Sequence, residues 1–160
     1  MKNKILALSM ILAILLCSCS SSNNKKIRNL SIGDKFQGGI VAYIEQGGKH
    51  GLIVSETDLA INADWEQARS LCEEYKIDEY TDWYLPTIDE LIKIYNNRDA
   101  IGAFPILPTN NRYWSSTIVS MIAPGNRMVD LAECLRIGYG EMGKYEKHMG
   151  GFHVRAVRRY

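Results

Sequence analysis

Pro86-Thr87, with Glu90 three residues on and an apolar stripe behind it, constrains local structure more tightly than any other stretch of this chain. Pro86 stops a helix from running through it. The Thr87 hydroxyl accepts from a free N–H of the first turn, and Glu90 closes the capping box. Ile88, Leu91, Ile92 and Tyr95 form the buried stripe, Asp89, Lys93 and Asn96 face water, and Asn96-Asn97 is the stop. A second box opens at Asp64 with Gln67. There Trp65, Ala68, Cys72 and Tyr75 recur with helical period, so Cys72 points into the core.

Gly39–Ile44 and Gly51–Ser55 are rich in β-branched and aromatic residues, and Gln46–His50 between them carries a glycine pair, which predicts a hairpin. Tyr113–Thr117 and Arg127–Leu131 read as short strands and Phe152–Arg158 as a stronger one. Ile118–Arg127, which contains Ala123-Pro-Gly-Asn126, and Gly138–Gly151 read as long loops. A hairpin, two helices, then antiparallel strands with long loops predict a single α+β domain.

The chain begins with Lys2 and Lys4, an apolar run of about a dozen residues from Ile5 to Leu16, and Leu16-Cys17-Ser18-Cys19. The run falls short of the roughly 20 residues that span a bilayer as a helix, and reads as an export signal. Leucine three residues before Cys19 and serine just before it form a lipid-attachment box. Bulky Leu16 disqualifies Cys17 in the same way. The expectation is a leader over residues 1–18, a polar tether over 19–29 and one domain over 30–160. Cys19 would carry the membrane anchor, acyl chains such as palmitate, at the outer membrane or cell surface. Cleavage after Ser18 or Ser20 without lipid is the alternative.

Without Lys2 and Lys4, 17 of the 19 basic residues remain against 18 acidic ones, a balance that gives no general pull toward nucleic acid or anionic lipid. Glu56–Asp99 holds twelve acids and four bases, whereas Arg127–Tyr160 holds seven bases and four acids. The two segments are expected to neutralise each other across the sheet; a basic face is the alternative.

The chemistry-bearing residues are sparse. His50, His148 and His153 are the only histidines, and Glu73-Glu74 and Asp78-Glu79 read as solvated charge rather than an acid–base pair. Metal-ligand spacings are absent, Ala123-Pro-Gly-Asn126 falls short of the proline motif of calcium-dependent lectins, and neither cofactor nor catalytic residue is expected. Cys72 and Cys134 are the two cysteines left beside Cys19. They form either a disulfide or two buried thiols.

Gly38-Gly-Ile-Val-Ala-Tyr43, His50-Gly-Leu-Ile-Val54, Trp65 with Ala68 and Cys72, Asp82-Trp-Tyr-Leu-Pro-Thr87 with Glu90-Leu91, Tyr113-Trp-Ser-Ser-Thr117 and Val154-Arg-Ala-Val-Arg158 occur in that order. The set resembles the Lcl C-terminal-like domain family of secreted and lipid-anchored bacterial envelope proteins. The resemblance implies a C-type-lectin-like α+β fold, and in some members adhesion through sulfated polysaccharide; it supplies no catalytic residues. It also implies a cysteine where this chain has Ala156, which leaves Cys134 as the only partner for Cys72.

Trp83 and Trp114 are expected in the core rather than on a sugar platform, and Ser115, Ser116 and Thr117 are expected to hydrogen-bond nearby backbone. Arg155 and Arg158 cannot both join one basic patch. At least one is expected inward, paired with a carboxylate such as Asp82 or Glu90. The leading functional expectation is an envelope-anchored protein that binds glycan, acidic or sulfated, through Tyr139, Lys144, Tyr145, Lys147 and His148. The alternative is a structural or assembly subunit with a protein partner. An aromatic-lined polar groove would favour the first and a large exposed apolar patch the second.

Overall fold

Strands β1 (Lys35–Phe36), β2 (Gly39–Ile44) and β3 (Gly51–Val54) form an antiparallel meander, with Ile40 opposite Val54 and Ile44 opposite Gly51. The β2–β3 hairpin and its glycine turn fall where the sequence places them. The computed structural model describes residues 30–102, 104 and 111–160; the leader, Cys19 and the tether lie outside the described residues. Gly39 is required for space: a Cβ there would meet the Val54 carbonyl and the Ile53 side chain.

Beyond β4 (Ala60–Ala63), both helices start at their expected caps. In α1 (Trp65–Glu74) the Asp64 carboxylate accepts from the Gln67 N–H, and Trp65, Ala68 and Cys72 are buried. In α2 (Ile88–Asn96) the Thr87 hydroxyl accepts from the Glu90 N–H at 3.2 Å while Glu90 accepts from the Thr87 N–H at 3.0 Å. Ile88, Glu90, Leu91 and Ile94 are buried, with Ile92 and Tyr95 at the stripe's margin. Thr87→Ala is therefore expected to cost about 1 kcal/mol in denaturant melts, and no loss would contradict the cap. A third helix the sequence did not announce, α3 (Arg98–Ile101), follows and ends at Gly102, whose φ of 66° is left-handed.

The strand-rich half differs most from expectation. Strands β5 (Arg112–Ala123) and β6 (Arg127–Arg136) are much longer than the short strands read from sequence, and pair antiparallel with Ala123 opposite Arg127. Ile118–Arg127 is thus mostly hairpin, not loop; its three-residue turn takes positive φ at Gly125 and Asn126. Gly138–Gly151 likewise holds a strand, β7 (Glu141–Glu146), paired to β6. Phe152–Arg158 divides into β8 (Phe152–Val154) and β9 (Val157–Arg159), which join different sheets.

The first sheet runs β1-β2-β3-β9 and the second β4-β8-β5-β6-β7, with only β5 and β8 parallel. Side chains alternate along strands. Tyr113 and Leu135 therefore join Leu91 and Ile94 of α2 in one core, while Trp114 and Cys134 join Ala68 and Cys72 of α1 in the other. Each helix covers one face of the base of the second sheet. The result is the mixed α+β domain expected from the sequence.

Candidate functional site

Six paired residues of each strand, Ile118–Ala123 and Arg127–Ala132, carry the β5–β6 hairpin beyond its base. At the base, the edge of β5 is covered: Trp65 Nε1–H donates to the Ser115 carbonyl at 2.8 Å and Ser116 N–H to the Pro86 carbonyl at 2.8 Å. The Thr117 hydroxyl accepts from Ile88 N–H at 3.0 Å. The Ser115 hydroxyl donates to the Glu133 carbonyl at 2.8 Å, so Ser115 and Thr117 bond nearby backbone, as their types suggested. Past Thr117 the hairpin projects as an arm. Ile122 and Met128, opposite each other, are 65% and 63% exposed, and Ile118 stands on the same face. Met121, on the other face, is also exposed. Apolar side chains are thus exposed on both faces of the arm, with the hydrogen-bonded Ser120–Asp130 pair among them on the first face and Arg127 on the second.

Beside the arm lies an open cleft of about 310 Å³ lined by Arg127, Val129, Asp130, Glu146, Lys147 and His148. It unites two of the five residues singled out in the sequence, Lys147 and His148, with Arg127. Lys147 also lies 4.7 Å from the Trp65 ring, and His148 Nδ1 lies 3.4 Å from Glu146. Tyr139 and Lys144 are not in this lining. Tyr139 precedes β7, whose six residues span about 20 Å, and has the Arg136 guanidinium 5.5 Å from its ring. Lys144 faces Glu133 at 3.9 Å. Tyr145 packs edge-on to Phe152 and under Arg112, half-buried in the α1-side core, so its ring is not an open stacking surface. The five form no single patch, and the cleft has no tyrosine, tryptophan or phenylalanine among its described lining residues.

Most of the C-terminal basic excess is paired inside the domain. Arg155 meets Asp58, Arg158 meets Asp82 and Arg159 meets Glu90, each joining the basic end to the acidic middle. Arg136 pairs with Glu141. The expected neutralisation holds. The expectation that at least one of Arg155 and Arg158 turns inward is met by both, which are buried because the strand breaks between β8 and β9. The Arg158 guanidinium holds the Asp82 carboxyl below its ordinary pKa. Burial opposes the charge on Glu90, but the Thr87 N–H, Arg159 and Tyr84 outweigh it and keep its pKa low.

Asp58 is the residue that sequence reasoning missed. Its carboxylate accepts from Arg155 Nε at 2.5 Å, His153 Nδ1 at 2.7 Å and the Tyr113 hydroxyl at 3.1 Å. Arg155 also donates to the carbonyls of Ser55 and Glu56 and lies over the Phe104 ring at 4.4 Å. This clasp ties the segment after β3 to β5 and β8. The partners lie 55 to 97 residues from Asp58 in sequence, beyond the reach of any local pattern.

Cys72 and Cys134 are both free and buried, in the same core cluster. Of the two states open to them in the sequence, the structure has the thiols. Burial pushes Cys72 up to about 12 and Cys134 up to about 11, so neither is a ready nucleophile. The folded chain is expected to resist alkylation at both positions at neutral pH and to react at both once unfolded. Fast labelling of the folded protein would contradict their burial. Among the described residues, no group of three or more metal-ligating side chains converges and no helix is long and apolar enough to cross a membrane.

These features define a two-sheet α+β domain with an internal ion-pair clasp, a projecting apolar arm and a mixed-charge cleft at its side. Residues 35–158 match the Lcl C-terminal domain family, and the chain belongs to it. No curated protein matches the chain.

Proposed function

We propose that this chain is a lipid-anchored envelope protein that engages a protein partner through the β5–β6 arm, as a structural or assembly subunit. The observation that carries this reading is the exposure of Ile118, Met121, Ile122 and Met128 on both faces of one hairpin. Apolar surface concentrated in this way is a mark of an interaction site, whereas isolated exposed apolar residues are ordinary. The anchor is Cys19, facing out of the cytoplasm at the outer membrane or cell surface. Its basis is the Leu16-Cys17-Ser18-Cys19 box.

A photo-crosslinking residue at Ile122 of the full chain, expressed in cells, tests the arm. Adducts of protein mass are expected. Adducts to lipid alone, or none at all, would defeat the reading.

Glycan recognition is the second reading, favoured by the meeting of Arg127, Lys147 and His148 in one cleft. Asp130 and Glu146 offset much of that positive charge, so the cleft suits hydroxyl-rich glycan better than strongly sulfated polymer. Titration with neutral and sulfated polysaccharides, at low and high salt and beside a Lys144→Ala/Lys147→Ala variant, measures it. Binding that weakens with salt and with the double substitution would restore the acidic-glycan reading, because exposed ion pairs are screened.

A further inference from the structure

We propose that the outer edge of β5 from Ile118 to Ala123 pairs antiparallel with the same segment of a second copy of this chain. The inference rests on the protein-partner reading above and names the partner.

Along Ile118–Ala123, β6 supplies hydrogen-bond partners on one side only. The other neighbour of β5 is β8, whose sole registered pair with it is Tyr113 with His153, and Trp65, Pro86 and Ile88 cover β5 no further than Thr117. Past that point no described strand lies on this edge. A β-strand points alternate N–H and C=O groups to either side, so the open edge offers a row of unused donors and acceptors.

Besides the four-residue edge strand β4, this sheet has two longer unflanked strand lengths, and they are treated differently. Edge strand β7 carries Glu141, Lys144 and Glu146 within six residues, and such charges keep stray strands away. In β5, no charged residue occurs from Tyr113 to Ala123. Ile118-Val-Ser-Met-Ile-Ala123 is an uncharged, proline-free, β-favouring run on an exposed edge, which a chain kept monomeric would be expected to interrupt.

A second copy fits this edge because the segment is compatible with itself. A two-fold axis normal to the sheet and passing beside Ser120 sets Ser120 against the partner's Ser120, Val119 against the partner's Met121 and Ile118 against the partner's Ile122, each pair on one face. No like charges meet, and each contact off the axis is made twice, as a closed isologous interface requires. The exposed side chains of Ile118 and Ile122 then line up with those of the second arm on one face.

The test is sedimentation of the full chain in mild detergent, comparing wild type with S120K/M121K and with S120E/M121E. Both positions are exposed, and circular dichroism checks that the variants fold. Twice the chain mass is expected for wild type, single mass for each charged variant alone, and recovery of the double mass when the lysine and glutamate variants are mixed. A wild type of single mass, a lysine variant that stays double, or a mixture that stays single would each overturn the proposal. The crosslink at Ile122 separates the two readings: an adduct to a different protein from a single-mass wild type leaves the partner reading standing and removes the second copy.

Discussion

Asp58→Ala is expected to remove about 3–5 kcal/mol of folding stability, the usual cost of taking one partner from a buried ion pair. The carboxylate holds Arg155, His153 and Tyr113 together, and the Arg155 side chain is only 4% exposed. Without Asp58 the guanidinium keeps the Ser55 and Glu56 carbonyls and the Phe104 ring but loses its counter-charge in a poorly hydrated place. Against a total stability of about 5–15 kcal/mol for ordinary domains, such a loss leaves a substantial unfolded population. The double variant Asp58→Ala/Arg155→Met should be less destabilised than Asp58→Ala alone, because no charge is then buried without its partner. Denaturant melts of the three chains measure both effects. A single-variant loss below about 1 kcal/mol would mean that water reaches the cluster and screens it as it does a surface pair.

The two helices and the first hairpin were legible because their determinants are local. Thr87 with Glu90, and Asp64 with Gln67, lie one turn apart, and the apolar stripes repeat within a few residues. The same holds for the burial of Trp83 and Trp114, which follows from their size and their place beside element ends. The arm was not legible because its code is not the period-two pattern of a strand with one wet face. Ile118, Val119, Met121, Ile122 and Ala123 are apolar on both sides, and only the pairing with β6 makes them a strand. Two β-favouring runs flanking Pro124-Gly125-Asn126 were the available signal for a hairpin. In β7 the opposite masking occurs: Glu-Met-Gly-Lys-Tyr-Glu reads as a polar loop, since the strand hides one face and shows charge along its free edge.

Partner choice among the ion pairs shows where residue type stops being informative. An inward arginine meeting Asp82 was readable from type, yet Glu90 went to Arg159 and Arg155 took Asp58. Which carboxylate an arginine reaches is set by the register of β9 on β3 and by the break before it, neither of which sequence spacing encodes. The candidate site follows the same division. Lys147 and His148 could be named from composition, but Arg127 and Asp130 enter the cleft only because the hairpin returns them to it.

Trp114→Ala is expected to cost about 3–5 kcal/mol, a magnitude that distinguishes a core tryptophan from a ligand platform. Its side chain has no exposed surface, stacks on Phe152 with ring centres 3.7 Å apart, and donates its indole N–H to the Ala63 carbonyl at 3.1 Å. Truncation would open a cavity against α1 and leave the Ala63 carbonyl without that donor, two losses that add. Trp83 supplies the contrast. It is also buried and packs edge-on to Tyr75, but its indole N–H meets no acceptor among the described residues. Trp83→Phe should therefore be milder than Trp114→Phe, since only the latter surrenders a satisfied hydrogen bond. Equilibrium unfolding of the two phenylalanine variants beside Trp114→Ala decides the matter. If Trp114→Ala melted like wild type while polysaccharide binding vanished, Trp114 would belong to a binding surface and not to the core.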